Sequence, residues 1–461
     1  MLNFYKHNSF TFSRDTMINI LRIVAITLLL TIGFAALAAG YSFMQDPSGK
    51  AINISTDYLR PAAPFSNYLV PGIVLFTMNG VLSILIAVMA VKKTASYPLL
   101  IFLQGCIYVG WITTQLTMVT AYHPLHTIVG LTGLVLIIIG SVAVQAVYKR
   151  DIREQYSRVN SLAVKYAYTS LGKIQYLDYG TGQPVLLVHG VMGGCDHGLH
   201  ISKTFFGQGY RIIAISRFGY LGSPIPANSS PSNQADLCAA LLDSLGITEA
   251  IVAGFSAGGP SALQLALRHQ NRCAALILIS MAVPPYNKPG RVSRWLMEKF
   301  FGSDFMFWFF LKYTPSMALK LMGTPYSVQK RLTSFETIWH KDLMWRLLPA
   351  NLRVKGVLND VLITNPDLNN SYPVQKIMVN TIVFHSKDDP MPPFEIAKNI
   401  AANIPNARFV EIESGGHLLV GHHDKVQKTI RGLVEQPKLW TVQSRVMGST
   451  PISAANWKSG L

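Results

Sequence analysis

An all-α transmembrane bundle of about four helices, followed by an α/β domain on a mostly parallel sheet, is the fold class that the 461-residue sequence predicts. Three observations predict it. Charged residues make up only 14% of the chain, against roughly 25% in an average soluble domain. The deficit lies in the first third, where residues 1–150 hold nine Lys/Arg and three Asp/Glu and four long apolar stretches fall. Beyond it, short β-branched runs alternate with helical stretches, the pattern of parallel strands covered by helices on both faces. A chain that is 50% hydrophobic is also not an intrinsically disordered one.

The four apolar stretches are 23–44, 69–91, 97–121 and 125–148, none with an Asp, Glu, Lys or Arg. Each meets the ~20 residues a bilayer-crossing helix needs. Pro71 and Asn79 in the second are tolerable if neighbouring helices satisfy the freed or polar groups. Gly105, Gly110, Gly130 and Gly133 are expected to allow close helix packing. Lys6, Arg14 and Arg22 precede the first span, Lys92 and Lys93 follow the second, and Lys149, Arg150, Arg153 and Arg158 follow the fourth. Basic residues favour the cytoplasmic side, so both ends are expected there and the 45–68 loop outside. Ala36–Leu37–Ala38 resembles a signal-peptidase site, and cleavage there would leave the later segments on the same sides. No acidic residue lies within a span, which argues for anchoring over transport. An inner or plasma membrane location with a cytoplasmic globular domain is expected.

After a polar connector, 149–162, strands are expected at 164–168, 174–178, 184–188, 211–215, 250–253, 274–279, 381–385 and 408–412. Helices are expected at 234–245, stopped by Gly246, and at 259–269. Sheets of this kind carry function at the carboxyl ends of their strands, which narrows the search. After the fifth run comes Gly254–Phe255–Ser256–Ala257–Gly258, a G-x-S-x-G elbow between strand and helix that lifts a serine hydroxyl clear of the sheet. A serine needs a base, and His417 follows the last strand in Ser414–Gly415–Gly416–His417. The acid that orients it is expected after the seventh run, where Asp389 is favoured over Asp388 by its distance from the strand and the proline that follows. Ala257 and Val191 are expected to supply oxyanion-binding N–H groups, with His189 ordering the loop that carries Val191. His422 and His423 are read as surface residues at a helix start. His197 and His200 have i, i+3 spacing, but no carboxylate or thiolate pattern completes a metal site, and the four cysteines, Cys106, Cys195, Cys238 and Cys273, read as free thiols. No metal and no cofactor are expected.

Residues 164–436 resemble the α/β-hydrolase superfamily through His189–Gly190, the segment Ser216-Arg217-Phe218-Gly219-Tyr220-Leu221-Gly222-Ser223-Pro224, the Gly254–Gly258 elbow, Asp389 and His417. The resemblance implies an eight-stranded sheet with its second strand antiparallel and a cap inserted after the sixth. Serine at the elbow speaks against haloalkane dehalogenases and epoxide hydrolases. Ser216 departs from the aspartate that many relatives carry before the arginine.

The cap is expected at 283–380, rich in bulky apolar residues (Trp295, Phe300, Phe301, Phe305, Phe307, Trp308, Phe309, Phe310) mixed with Lys288, Arg291, Arg294, Lys299, Lys312, Lys320, Lys330 and Arg331. It reads as a helical lid, and also as a basic amphipathic surface that dips into an anionic leaflet to collect an acyl substrate. No nucleic-acid recognition motif accompanies the basic charge, so that partner is not expected. The tail, 437–461, is expected to be disordered toward its end. These features lead to an expected membrane-anchored serine hydrolase, cleaving apolar or lipid-like carboxylic esters through an acyl-enzyme. Alternatives are a thioesterase, amidase, cofactor-free peroxidase or carbon–carbon hydrolase on the same residues, or a catalytically silent hydrolase-like scaffold. Substrate identity, protein partners and oligomeric state are not legible.

Overall fold

A computed structural model describes residues 14–61 and 63–435 and divides into two compact units at Asp151 and Ile152. The tail expected to be disordered lies outside the described residues.

The first unit holds four helices long and apolar enough to cross a membrane: α1 (Arg14–Gln45), α2 (Leu69–Val91), α3 (Tyr97–Met118) and α4 (Pro124–Asn160). Pro71 falls in the first turn of α2, where its missing N–H has no helical acceptor to lose. A π-helical segment, Leu75–Val81, interrupts α2 around Asn79. Gln104 donates to the Met78 carbonyl at 3.0 Å, but the buried Asn79 side chain finds no partner among the described residues. Gly105 and Gly133 lie where α3 meets α4, and a Cβ on Gly105 would come within 2.6 Å of the Gly133 carbonyl. Gly110 and Gly130 do not share that role. A Cβ on Gly110 would meet nothing within 4 Å, and one on Gly130 only Ile112 at 3.8 Å. The connector at 149–162 is largely the last turns of α4, which stays helical through Asn160 because the segment contains no proline or glycine.

The second unit is built on an eight-stranded sheet in the order β1-β2-β4-β3-β5-β6-β7-β8. The strands are β1 (Lys165–Thr169), β2 (Gly172–Tyr179), β3 (Gln183–Val188), β4 (Tyr210–Ile215), β5 (Ala250–Phe255), β6 (Cys273–Ile279), β7 (Thr381–Ser386) and β8 (Ala407–Ile412). Only β2 runs against its neighbours. Alternate residues of the central strands enter different cores, which is why these runs read as continuously apolar. Val252, Leu276 and Leu278 pack toward α6 (Pro231–Ser244) and α7 (Gly259–Arg268). Ile251, Ile277 and Ile279 pack toward α5 (Cys195–Phe205) and, past the sheet, α15 (His423–Glu435).

The cap lies between β6 and β7. It contains α8 (Arg291–Gly302), α9 (Asp304–Tyr313), α10 (Pro315–Leu321), α11 (Tyr326–Gln329), α12 (Ser334–Trp345) and α13 (Val354–Asn359), before α14 (Phe394–Ala402) follows β7. Its aromatic residues divide: Phe307 and Trp308 are buried, Phe300 packs edge-on against Phe307 at 5.7 Å, and Trp295 is 55% exposed. Two buried ion clusters fasten the returning arm of the cap to the sheet. Arg353 forks onto Asp196, with Nη2 to Oδ2 at 2.8 Å, and also donates to the Gly193 carbonyl. Arg158 meets the same carboxylate at 2.7 Å. Arg217 forks onto Asp360 at 2.6 Å, and the Tyr220 hydroxyl donates to that carboxylate at 2.5 Å.

Truncating one partner of a buried pair strands the other charge, whereas surface pairs contribute little. Asp360→Ala should therefore lower the stability of the second unit by about 3–5 kcal/mol in a denaturant titration. Glu413→Ala, which removes an exposed partner of Lys387, should change it by less than about 1 kcal/mol. Equal losses would contradict the assigned role of the buried cluster.

Candidate active site

Backbone strain marks the carboxyl edge of the sheet. Met192, Leu221, Ser256 and Ser280 all have positive φ, at 61°, 49°, 50° and 45°, each following a different strand. A non-glycine residue held in this region costs about 1–3 kcal/mol and persists only where its surroundings enforce it. At Ser256 the enforcement is visible. The turn from β5 into α7 is so tight that a Cβ on Gly258 would lie 2.1 Å from the Val188 carbonyl, and one on Gly254 2.7 Å from Ala262 Cβ. Serine is thereby held at the tip of the central strand, between β3 and β6.

The loop after β3 passes directly beside it, since a Cβ on Gly190 would sit 2.9 Å from Ser256 Cβ. His189 orders this loop. Its Nδ1 is 2.7 Å from the Gly190 carbonyl and its Nε2 accepts from the Arg217 N–H at 3.1 Å, a neutral imidazole bonded on both sides. Arg217 also donates to the Gly190 carbonyl at 3.1 Å, so the departure at Ser216 leaves the arginine's grip intact. Ser216 Oγ instead donates to Gln175 and accepts from the Cys195 N–H.

The two aspartates after β7 have different partners. Asp389 Oδ2 lies 2.7 Å from His417 Nδ1, while its Oδ1 accepts from the Met391 N–H. Asp388 accepts from the Gly416 and Gly415 N–H groups at 2.8 and 3.3 Å, and from Ser386 Oγ at 2.6 Å. Asp388 thus ties the loop after β7 to the loop that carries His417. Gly323 of the cap presses on that loop from above: its carbonyl accepts from the His417 N–H at 2.8 Å, and a Cβ there would strike the histidine's own Cβ.

Ser256 and His417 line one cavity of ≈ 40 Å³ together with Val191 and His197. Phe255, Met322, Leu343, Met344, Met391 and Leu418 complete an otherwise apolar wall. Ala257, directly after the serine, is buried in the elbow. A serine at a strained elbow, an imidazole held by a carboxylate, and a backbone loop alongside are the groups that acyl transfer calls for. His423, read from sequence as a surface residue, instead packs edge-on against Phe205 at 5.3 Å, and its Nε2 lies 3.0 Å from the Leu418 carbonyl. Sequence reasoning also missed Arg353 and Asp196, which carried no motif. Among the described residues no His, Cys, Asp and Glu cluster could hold a metal. Burial pushes the thiols of Cys195, Cys238 and Cys273 up to about 12, which leaves them protonated and inert.

Burial also lowers the pKa of several histidines: His197 falls to about 3, and His189, His340, His385 and His423 move the same way. An unfolded histidine protonates near 6.5, so below that pH the unfolded chain binds more protons than the folded one. Stability is therefore complete above about pH 6.5 and is lost as pH falls toward the depressed folded values, by up to ~1.4 kcal/mol per histidine per pH unit. The melting temperature of the second unit should be nearly flat from pH 8 to 7 and drop between pH 6.5 and 5. A flat profile across that window would contradict neutral burial.

Comparison with known proteins gives the family of this unit. The chain is 26% identical over 262 residues to the AB hydrolase superfamily protein YisY of Bacillus subtilis (strain 168), covering 56% of this chain and 92% of that protein. It is 27% identical over 255 residues to a 2-hydroxymuconate semialdehyde hydrolase of Pseudomonas putida, covering 52% and 82%. An alpha/beta hydrolase fold protein from Nakamurella multipartita superposes with a TM-score of 0.50 at 27% identity, covering 59% of this chain and 98% of that one. Residues 183–424, which hold the elbow, both aspartates and His417, match the family model described as the alpha/beta hydrolase fold, and the chain belongs to that family.

Proposed function

We propose that the protein is a membrane-anchored serine hydrolase that cleaves carboxylic esters of apolar or lipid-like character. The observation that carries the reading is His417, held by Asp389 on one side and bordering the Ser256 cavity on the other. Ser256 Oγ attacks the ester carbonyl as His417 takes its proton, and the N–H groups of Ala257 and Val191 stabilise the oxyanion. Collapse passes that proton to the departing alkoxide and leaves an acyl-serine. Water, deprotonated by the same imidazole, then releases the acid and restores Ser256. Asp389 keeps the imidazole oriented and stabilises its cation.

The apolar wall supports an apolar acyl group, and the flexible thioethers of Met322, Met344 and Met391 can repack around chains of different shape. The outer face of α8 supports a substrate drawn from a bilayer: Val292, Trp295 and Leu296 are exposed beside Arg291, Arg294 and Lys299. The four apolar helices support anchoring, and the Lys/Arg placement supports a cytoplasmic hydrolase domain. A second reading, carbon–carbon bond hydrolysis on the same residues, is favoured by the likeness to the 2-hydroxymuconate semialdehyde hydrolase.

The test is fluorophosphonate labelling of the full-length protein, followed by turnover of a panel of esters, thioesters, amides and a ring-opened dienol acid. Labelling should vanish in Ser256→Ala, and retained labelling would sink the assignment. Asp389→Asn should lower kcat by about 10³–10⁴ by disturbing the tautomer of His417. Asp388→Asn should cost only roughly tenfold, because it loosens a loop without touching the imidazole. The reverse order would exchange their roles. Preference for the dienol acid over every ester would favour the second reading.

A further inference from the structure

Three polar side chains line the cavity at the nucleophile: Ser256, His417 and His197. The first two have tasks in the reaction proposed above. The third has none. His197 sits in the first turn of α5, beyond the loop that borders Ser256, and is 5% exposed. Its Nδ1 is sealed from solvent without a hydrogen-bond partner, and the structure gives the ring no other hydrogen bond among the described residues. The adjacent carboxylate that could have claimed it is occupied: Asp196 is taken by Arg353 and Arg158. Nε2 is not sealed in this way, so in a residue that lines the cavity beside Ser256 it is the nitrogen open to a hydrogen-bonding group that the substrate brings.

We infer that His197 is the specificity-determining residue of this site, and that its partner is a hydroxyl group on the substrate. The preferred ester is then apolar overall but carries one hydroxyl close to the scissile carbonyl. A neutral imidazole offers one N–H donor and one acceptor nitrogen, and a hydroxyl can answer either. His197 stays neutral across the physiological range because burial and Arg353 oppose its protonation, so a carboxylate substituent would find no cation there. Size limits where the hydroxyl can be. The cavity is open on one side, and its narrow part of ≈ 40 Å³ beside Ser256 and His197 holds only the substrate atoms nearest the reacting carbon, since one water already takes about 10–15 Å³ of such space. The hydroxyl therefore belongs within two or three bonds of the reacting carbon, on the acyl or the alcohol side.

This inference rests on Ser256 acting as an esterase nucleophile, and the experiment separates the two. Full-length protein in detergent is assayed on two matched pairs: p-nitrophenyl butyrate against p-nitrophenyl 3-hydroxybutyrate, and ethyl butyrate against 2-hydroxyethyl butyrate. In at least one pair the hydroxylated ester should show kcat/KM higher by about tenfold or more, since a site built to hydrogen-bond a hydroxyl discriminates against its absence. His197→Phe should bring that ratio to about 1, and His197→Asn, which keeps a donor and an acceptor, should retain part of it. Equal kcat/KM within both pairs for the unaltered protein would overturn the inference, as would a preference that survives in His197→Phe. Should His197→Phe fail to fold, the unaltered protein and His197→Asn still decide. Turnover without preference defeats only the role of His197. Absence of both ester turnover and fluorophosphonate labelling defeats the nucleophile and His197 together.

Discussion

Asp196 is cut off from water, and two arginines end on its carboxylate. Burial alone would raise its pKa, but Arg353 and Arg158 hold it far below the usual carboxylate range. Three distant stretches of chain meet there: the end of α4, the helix start behind the Ser256-flanking loop, and the returning arm of the cap. Because Arg353 also donates to the Gly193 carbonyl, the charge cluster sets the backbone of the loop as well as the position of the cap. Arg217 and Asp360 repeat the arrangement a few residues away, with Arg217 on the Gly190 carbonyl. The loop is thus clamped through two of its carbonyls. Breaking either cluster would leave a charge in a dry interior, which is why the arrangement holds as a unit.

That clamping matters because the elbow opposite stores strain. Ser256 keeps a left-handed backbone only while the β3 strand end, the Gly190 loop and α7 close around it. A rigid frame on three sides holds the serine and the Gly190 loop in a fixed relation. Asp388 extends the same logic to the base. By accepting from Gly415 and Gly416 it makes the acid-bearing and base-bearing loops a single body, so the Asp389–His417 bond does not depend on two loops moving independently.

Much of this was legible in the sequence, and the limits have physical causes. All eight strands fall within two residues of their expected starts, and β5 and β6 were the plainest because they are buried almost throughout and read as unbroken apolar runs. The elbow was legible because its chemistry is local: the glycines answer to contacts within one tight turn. Asp388 and Asp389 are adjacent, and only the three-dimensional course of the His417 loop tells them apart. Arg353 looked like one more basic residue in a basic cap, since burial leaves no mark on a lone arginine's neighbours. His197 was paired with His200 by spacing, whereas the fold sends one to the cavity and the other to Trp339. Gly110 and Gly130 shared the small-residue signature of Gly105 and Gly133, but a one-dimensional pattern does not say which helix face meets a neighbour.

The thioethers around the serine have a consequence under oxidative stress. Met322, Met344 and Met391 come from three separate segments yet converge on one small apolar wall. Peroxide would convert such sulfurs to sulfoxides, polar and chiral groups that no longer suit an apolar wall. The three buried thiols of this unit are too protonated to intercept the oxidant. Damage would then fall on substrate recognition while the serine, imidazole and carboxylate stayed chemically intact. Reductases that restore methionine would reverse such damage, which is confined to side chains of the wall.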